Sequence, residues 1–169
     1  VFNAAIALSV PVSKVVEHVD SVTFCLSKGL CCPLGAIVAG SNDFIEQARF
    51  NRQTLGGGMR QAGIIAAAGI YALDNMVERL AEDHENAKGL AGILAESGFE
   101  VSLKSVQSNI VRFKTAPFTS ADFRARLNAE GIDVLQTGQG AARFVTHWPI
   151  TGADIERTGN VIRQMVRKG

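Results

Sequence analysis

The sequence lacks the features that mark several large classes of protein. It has no run of about 18 consecutive apolar residues, so no transmembrane helix is predicted, and no signal peptide is visible in it. Seventeen basic residues nearly balance sixteen acidic ones, for a net charge of +1. This balance does not point to nucleic acid or to an anionic membrane surface as a partner. With 47% apolar and 20% charged residues, the composition is typical of a globular chain that buries a core.

Cysteine is also scarce, and the three cysteines are clustered at Cys25, Cys31 and Cys32. An odd number in so short a segment does not make a disulfide framework. No metal site is predicted, because the spacing is not that of a zinc site and no histidine is close in sequence. We interpret the three as small buried or loop thiols in a reducing compartment, the cytosol.

The first residues resemble the middle of a helix rather than its start. V-F-N-A-A-I-A-L begins at Val1 without a capping residue. We therefore expect the chain to be a fragment whose N-terminal part is missing from the sequence. A length of 169 residues suits one ordinary domain, or one small domain and part of another.

Two short strands and a capped helix are predicted early in the chain. Ser21 to Leu26 is β-branched and aromatic, as in a buried strand, and Ala36 to Ala39 is a second candidate. Asn42 or Asp43 is expected to cap the helix that follows. The three glycines of T-L-G-G-G-M-R-Q, residues 54–61, indicate a tight connection or a close backbone approach.

A long helical pattern follows the glycines and continues to Gly98. Its apolar residues cover all faces between Ala62 and Leu73, so this part is expected to be buried on all sides. The pattern is too long for one ordinary globular helix. We expect a break within it, and we divide the chain into domains at 1–80 and 81–169.

The remainder reads as a compact α+β unit. Ser120 is expected to open one helix, and Thr151 to cap the last one together with Asp154 in a capping box. Four strands are predicted, at Glu100–Leu103, Asn109–Lys114, Ile132–Leu135 and Arg143–His147.

Lys28 is the first candidate for chemistry, because it stands where a strand passes into a loop rich in glycine and proline. A desolvated lysine has a lowered pKa and forms Schiff bases with carbonyl compounds, including the aldehyde of pyridoxal phosphate. The alternative is a lysine that extends from a strand end to water. Ser27 beside it suits either a phosphate or a backbone group.

Two arginines are further candidates. Arg60 follows the glycines at the expected start of a helix, where free N–H groups and a guanidinium suit an anion such as phosphate. The alternative is a solvated first-turn arginine. Arg143 begins a predicted strand and is placed either to bind a carboxylate in bidentate fashion or to pair with a neighbouring acid. His147 is interpreted as a histidine satisfied by its surroundings.

Four segments together resemble one family. They are V-F-N-A-A at the start, S-V-T-F-C-L-S-K-G-L-C-C-P-L-G, L-G-G-G-M-R-Q-A-G-I-I-A-A-A-G-I-Y-A-L and R-F-V-T-H. They resemble the low-specificity L-threonine aldolases, which are pyridoxal-phosphate enzymes of the aspartate-aminotransferase-like fold (fold type I). The resemblance covers nearly the whole chain and is strongest over residues 21–91. Cys31 and Cys32 depart from it, because the family commonly has small residues there.

The resemblance implies roles for individual residues. Lys28 is similar to the lysine that holds the cofactor, Arg60 to the arginine that reaches the cofactor phosphate from a neighbouring subunit, and Arg143 to the arginine that binds the substrate carboxylate. Ser27 is expected beside the phosphate. In the family a D-G-A-R motif, whose aspartate pairs with the pyridinium nitrogen, stands immediately before V-F-N.

The fold implied is α/β: the C-terminal part of a fold type I large domain, followed by a small α+β domain. The activity implied is the cleavage of L-threonine or L-allo-threonine to glycine and acetaldehyde, by a cytoplasmic homotetramer with shared sites. One alternative is a related β-eliminating lyase, or an aldolase for other β-hydroxy-α-amino acids. The other alternative is a catalytically silent fragment that only oligomerises.

Overall fold

A computed structural model of the protein describes residues 1–168. The chain forms two compact units, of which the first is Val1–Arg79 and the second begins at Leu80. None of the helices within the described range combines the length and the apolar character needed to cross a membrane.

The first unit contains four helices and one pair of strands. Strands β1 (Ser21–Cys25) and β2 (Ala36–Gly40) are antiparallel, with Ser21 opposite Gly40 and Cys25 opposite Ala36. Both strands and the first helix agree with the sequence prediction to within a few residues. The elements are α1 (Phe2–Leu8), α2 (Val12–Val15), β1 (Ser21–Cys25), β2 (Ala36–Gly40), α3 (Asn42–Thr54) and α4 (Gly63–Asn75).

Helix α3 is capped one residue earlier than predicted. Ser41 has an extended backbone, and its Oγ accepts a hydrogen bond of 3.3 Å from the N–H of Phe44. The prediction of Asn42 or Asp43 as the cap is wrong, because both residues are already helical. Asp43 still favours the helix, since a negative charge in the first turn complements the helix dipole.

Helix α4 is not buried on all sides, contrary to the sequence prediction. Only Gly69 and Ala72 are buried in it, whereas Ile64, Ile70 and Tyr71 are 79%, 63% and 66% exposed. The physical reason is that α4 packs through one narrow face on a small apolar cluster in the first unit. Its other apolar faces are uncovered in the part of the chain that the structure describes.

The long helical pattern is interrupted by a turn at residues 76–79, within the stretch where a break was expected. Helix α5 (Leu80–Glu96) begins immediately after this turn, and the second unit begins with it.

The second unit packs helices against one face of a three-stranded antiparallel sheet. The strands are β3 (Ile110–Lys114), β4 (Leu135–Gly138) and β5 (Ala141–Val145), in the spatial order β3-β5-β4. Alternate residues of the two longer strands face the core: Val111, Phe113, Ala142 and Phe144. The remaining elements are α6 (Ser120–Ala129) and α7 (Gly152–Lys168).

Two of the four strands predicted in this unit were misplaced. The segment Glu100–Leu103 contributes only a single bridge, between Val101 and Phe113. It then turns into a short 3-10 helix, Leu103–Ser105, because the Ser105 N–H and hydroxyl both bond locally to the Ser102 carbonyl, at 3.0 and 2.7 Å.

Strand β4 begins at Leu135, where the prediction had it end. The Ile132 N–H donates a hydrogen bond to the Leu127 carbonyl at the end of α6, so it is not available for pairing in the sheet. The carboxylate of Asp133 then accepts from the Val134 N–H at 2.9 Å. These local bonds keep residues 132–134 out of the sheet.

The capping box at the start of α7 is confirmed. The Asp154 carboxylate accepts from the Thr151 N–H at 2.9 Å, and the Thr151 hydroxyl accepts from the Asp154 N–H at 3.4 Å. Along the inner face of α7, Ile155, Thr158, Ile162 and Met165 are buried.

Candidate functional site

Lys28 stands on a short closed loop after β1. The loop is fastened at its base by a hydrogen bond from the Leu26 N–H to the Gly35 carbonyl, 2.9 Å, and by one from the Cys32 N–H to the Leu26 carbonyl, 3.1 Å. At its tip, the Cys31 N–H donates to the Lys28 carbonyl at 2.9 Å. The loop is therefore fixed by its own backbone. We call residues 26–35 the lysine loop.

Helix α4 supports the lysine loop from below. Leu26, Leu30 and Cys32 are buried together with Ala72 of the helix. A Cβ atom added at Gly69 would lie 3.0 Å from Leu26 Cδ1, which is closer than side chains ordinarily approach, so only glycine fits here without rearrangement. The loop is thus held against a helix as well as closed on itself.

The side chains at the tip of the lysine loop are exposed. Ser27 and Lys28 are both solvent-exposed. Within residues 1–168 neither the Ser27 hydroxyl nor the Lys28 ammonium makes a side-chain hydrogen bond or an ion pair. A rigid backbone therefore presents an amine and a hydroxyl that have no partner in the described chain.

The three glycines turn the chain sharply at the end of α3. Gly56 has a φ of 77°, a conformation that favours glycine, and the Gly57 N–H donates to the Arg52 carbonyl at 2.8 Å. A Cβ at Gly57 would lie 3.2 Å from that same carbonyl oxygen. Both predicted features, the tight connection and the close approach, are present.

Arg60 lies in the loop beyond the glycines rather than in the first turn of a helix. It is exposed, and α4 begins only at Gly63. The expectation of a first-turn position is therefore wrong by three residues, because residues 60–62 form a turn in which Gln61 has a φ of 54°. The guanidinium makes no ion pair in the part of the protein that the structure covers.

Arg143 lies on strand β5, on the sheet face that points away from the core. It is half-buried, and its Nε atom is fully buried with no hydrogen-bond partner among the described residues. The side chain borders a cavity of about 170 Å³. The other residues that line this cavity are Asp133, Val134, Leu135, Val145 and His147. A guanidinium carries several N–H donors, so a cavity that it borders is suited to a ligand with acceptor oxygens.

Residues missed by the sequence analysis hold the end of β5 in place. The Thr146 hydroxyl donates to the Asp83 carbonyl of α5 at 2.6 Å. The Asn109 amide donates to the Thr146 carbonyl at 2.9 Å. Strand alternation contains a signal for Thr146, because it follows Ala142 and Phe144 on the inner face and is the one polar residue there.

His147 is fixed by the backbone next to it. Its Nδ1 lies 2.7 Å from the Trp148 carbonyl oxygen. A carbonyl only accepts, so this contact places a hydrogen on Nδ1. The interpretation of a histidine satisfied by its neighbours agrees with this geometry.

The four candidate residues occupy three places in the chain. Ser27 and Lys28 share the lysine loop, Arg60 lies in a separate loop of the same unit, and Arg143 belongs to the second unit. Across residues 1–168, histidine, cysteine and acidic residues nowhere gather in a group of three that would hold a metal ion.

Known proteins share both the sequence and the fold. The chain is 40% identical over 167 residues to low-specificity L-threonine aldolase 1 of Arabidopsis thaliana, covering 96% of this chain and 47% of that protein. It is 40% identical over 153 residues to the low specificity L-threonine aldolase of Escherichia coli K12, covering 89% and 44%. The chain thus spans about half the length of these curated relatives.

A solved structure has the same fold at low sequence identity. The crystal structure of a putative L-allo-threonine aldolase from Listeria monocytogenes EGD-E matches with a TM-score of 0.78 and 21% identity, over 96% of this chain and 49% of that chain. This likeness confirms the α/β fold class expected from the sequence. The model of the family described as "Beta-eliminating lyase" matches residues 1–116. This match and the relatives named above confirm the resemblance found in the sequence motifs. The chain belongs to the beta-eliminating lyase family.

Proposed function

We propose that the protein acts in the pyridoxal-phosphate-dependent cleavage of L-threonine or L-allo-threonine to glycine and acetaldehyde. The observation that carries this proposal is the exposed Lys28 on a loop closed by its own hydrogen bonds and supported by α4. The names of the relatives at 40% identity support the same reaction.

The residues of the first unit fit the cofactor. A solved structure of the same fold, described as SPT with a PLP internal aldimine, contains pyridoxal phosphate. In this chain the Lys28 amine would hold the aldehyde carbon of the cofactor, and the Ser27 hydroxyl would donate a hydrogen bond to its phosphate. By the resemblance, Arg60 would pair with the phosphate of the cofactor bound to a neighbouring subunit. When bound, the cofactor draws electrons away from the substrate's Cα.

Arg143 would position the substrate. Its guanidinium offers a planar pair of donors that matches a carboxylate, and its buried Nε lacks a partner in the described chain. Fixing the carboxylate fixes the orientation of the bond that breaks, and lost positioning of this kind costs on the order of 100-fold in rate. Leu135 and Val145 line the same cavity as Arg143.

The further expectations from the resemblance belong to the same proposal. The enzyme would be a cytoplasmic homotetramer, with residues 1–80 as the end of the cofactor-binding domain and residues 81–169 as the small domain. The aspartate expected against the pyridinium nitrogen is not among the 169 residues. We therefore expect that residues 1–169 alone do not cleave threonine, and cleavage by them would contradict this.

A second candidate reaction is β-elimination, which the family's own description favours. It uses the same lysine but releases a different product. Assaying a full-length relative of this chain for acetaldehyde plus glycine, against pyruvate plus ammonia, separates the two reactions. A third hypothesis is that the chain only oligomerises and has no catalytic activity. It requires that neither acetaldehyde plus glycine nor pyruvate plus ammonia is formed.

The cofactor assignment is tested by trapping. Residues 1–169 are incubated with pyridoxal phosphate, reduced with borohydride and digested, and the modified peptide is identified by mass spectrometry. We expect modification at Lys28 and its loss in Lys28→Arg, with Lys14→Arg as the control, since Lys14 is an exposed lysine of the same unit. Equal labelling of Lys14 and Lys28 would refute the assignment.

A further inference from the structure

The outer face of the sheet in the second unit carries three cations. Strand alternation places Arg112 and Lys114 of β3, and Arg143 of β5, on the face opposite to the core residues. Arg112 and Arg143 are partners in the antiparallel register, and Lys114 is paired with Ala141. Two arginines therefore stand directly across from each other on one face.

This arrangement is unfavourable unless something neutralises it. Residues paired in an antiparallel sheet have Cα atoms about 4.5–5.5 Å apart, and like charges at such positions destabilise a sheet. Throughout residues 1–168, no carboxylate forms an ion pair with Arg112, Lys114 or Arg143. The free energy of this face would fall if anions bound there.

The two arginines border neighbouring cavities rather than one. Arg143 lines the smaller cavity of about 170 Å³. Arg112 and Lys114 line a second cavity of about 470 Å³, with β5 residues Ala141 and Ala142. Because β5 contributes residues to both cavities, Arg143 of the smaller cavity lies beside Arg112 of the larger one.

The larger cavity also contains polar groups. Thr137, Ser102 and Ser105 lie along its wall, and Glu100 is its single acidic residue. The Glu100 carboxylate makes no ion pair with Arg112 or Lys114 in the described part of the protein. With two cations against one carboxylate, the cavity keeps a net positive charge.

We propose that Arg112 and Lys114 form a second anion subsite beside Arg143, so that the sheet binds a small acid with two anionic groups. One carboxylate of this acid occupies the cavity lined by Arg143, and its other carboxylate occupies the cavity lined by Arg112 and Lys114. This inference rests on the proposed function for the role of Arg143. The substrate class it names is a β-hydroxy-α-amino acid with a carboxylate in its side chain.

The test compares two acids of the same carbon number that differ in one carboxylate. Succinate and butyrate are titrated by calorimetry into residues 1–169 at low ionic strength, because screening weakens exposed charges. Arg112→Gln is expected to weaken succinate binding by roughly tenfold or more, as for loss of a charged hydrogen-bond donor, and to leave butyrate binding unchanged. Lys104→Gln is the control, since it removes one positive charge from an exposed site outside both cavities.

The variants separate this inference from the proposed function. Arg143→Gln is expected to weaken both acids, and if it weakens neither, the role of Arg143 in the proposed function fails. If Arg143→Gln weakens both acids while Arg112→Gln changes nothing, the second subsite is refuted and the proposed function stands. Equal affinity of the wild-type chain for succinate and butyrate, or no succinate binding, also refutes the subsite. Glu100→Gln is expected to tighten succinate binding, and weaker binding in that variant contradicts the proposal.

Discussion

The Cys32 thiol lies 3.5 Å from the Ala68 carbonyl oxygen and ties the lysine loop to helix α4 across 36 residues of sequence. Cys32 is also buried in the apolar cluster beneath the loop, unlike Cys25 and Cys31, which are exposed. Cys32 is therefore the cysteine with a structural role, because it helps to hold the lysine loop that carries Lys28.

Replacing Cys32 with alanine is expected to loosen the lysine loop. The variant loses a weak hydrogen bond and the packing of the sulfur atom, at a cost of about 1 kcal/mol, the usual size for a single substitution. Amide hydrogen exchange over residues 26–35 measures the change, with Cys25→Ala as the matched control. An equal increase in exchange in both variants would show that Cys32 does not hold the loop.

The exposed apolar face of α4 is expected to make the isolated chain associate. Ile64 and Tyr71, which lie on the same side of the helix, are 79% and 66% exposed, and exposed apolar residues grouped on one face mark a contact surface. Ile64→Lys combined with Tyr71→Lys is expected to reduce self-association, measured by light scattering against concentration. The control is Leu103→Lys, at an apolar residue 54% exposed in the second unit.

Two results of that experiment would contradict the prediction. If Leu103→Lys reduces association as much as the α4 variant does, any added charge suffices and the α4 face has no special role. Association that persists in the α4 variant leads to the same conclusion.

The sequence was a good guide where local patterns determine the structure. The strand at Ser21, the glycine turn before Arg60 and the capping box at Thr151 each depend on residues close together in the chain. Lys28 was singled out by its place after a strand and by family motifs. The structure places it exposed on a closed loop, and its role stays a prediction.

The errors came from interactions that a local pattern does not contain. Burial of α4 was predicted from apolar periodicity, but burial depends on which surfaces are available to cover the helix. Ile132–Leu135 was predicted as a strand, whereas two local hydrogen bonds keep residues 132–134 out of the sheet. The Ile132 N–H donates to the end of α6, and the Asp133 carboxylate accepts from the Val134 N–H. The pairing of Arg112 with Arg143 depends on strand register, which the sequence alone did not fix.

His84 is expected to make the stability of the second unit depend on pH. It is buried at the start of α5, and this burial lowers its pKa from the ordinary 6.5, with nearby Asp83 and Glu85 acting in the opposite direction and Lys88 in the same one. A lowered pKa means that the unfolded chain binds the proton more readily. The free energy of unfolding is therefore steady above pH 6.5 and falls as the pH drops from there through the folded pKa.

Urea unfolding at a series of pH values measures this effect, with a slope of at most about 1.4 kcal/mol per pH unit for one proton. His84→Asn removes the titrating group and is expected to flatten the slope between pH 6.5 and the folded pKa. His18→Asn, at an exposed histidine of the first unit, serves as the control. An unchanged slope in His84→Asn would assign the pH dependence to other groups.

Thr146 is expected to hold Arg143 in position through the fold rather than by touching a ligand. Its hydroxyl bonds the Asp83 carbonyl at 2.6 Å, which fastens the end of β5 to α5 only three residues after Arg143. Thr146→Val keeps the shape of the side chain but removes the hydrogen bond that joins β5 to this helix carbonyl. The second unit should lose about 0.5–1.5 kcal/mol of stability, the usual net contribution of one hydrogen bond. Thr146→Ser retains the hydroxyl and should restore most of this loss.

Chemical denaturation measures the stability, and the NMR signal of the Arg143 Nε–H reports whether the side chain has moved. If the serine variant is as unstable as the valine variant, the methyl packing of Thr146 matters more than its hydrogen bond.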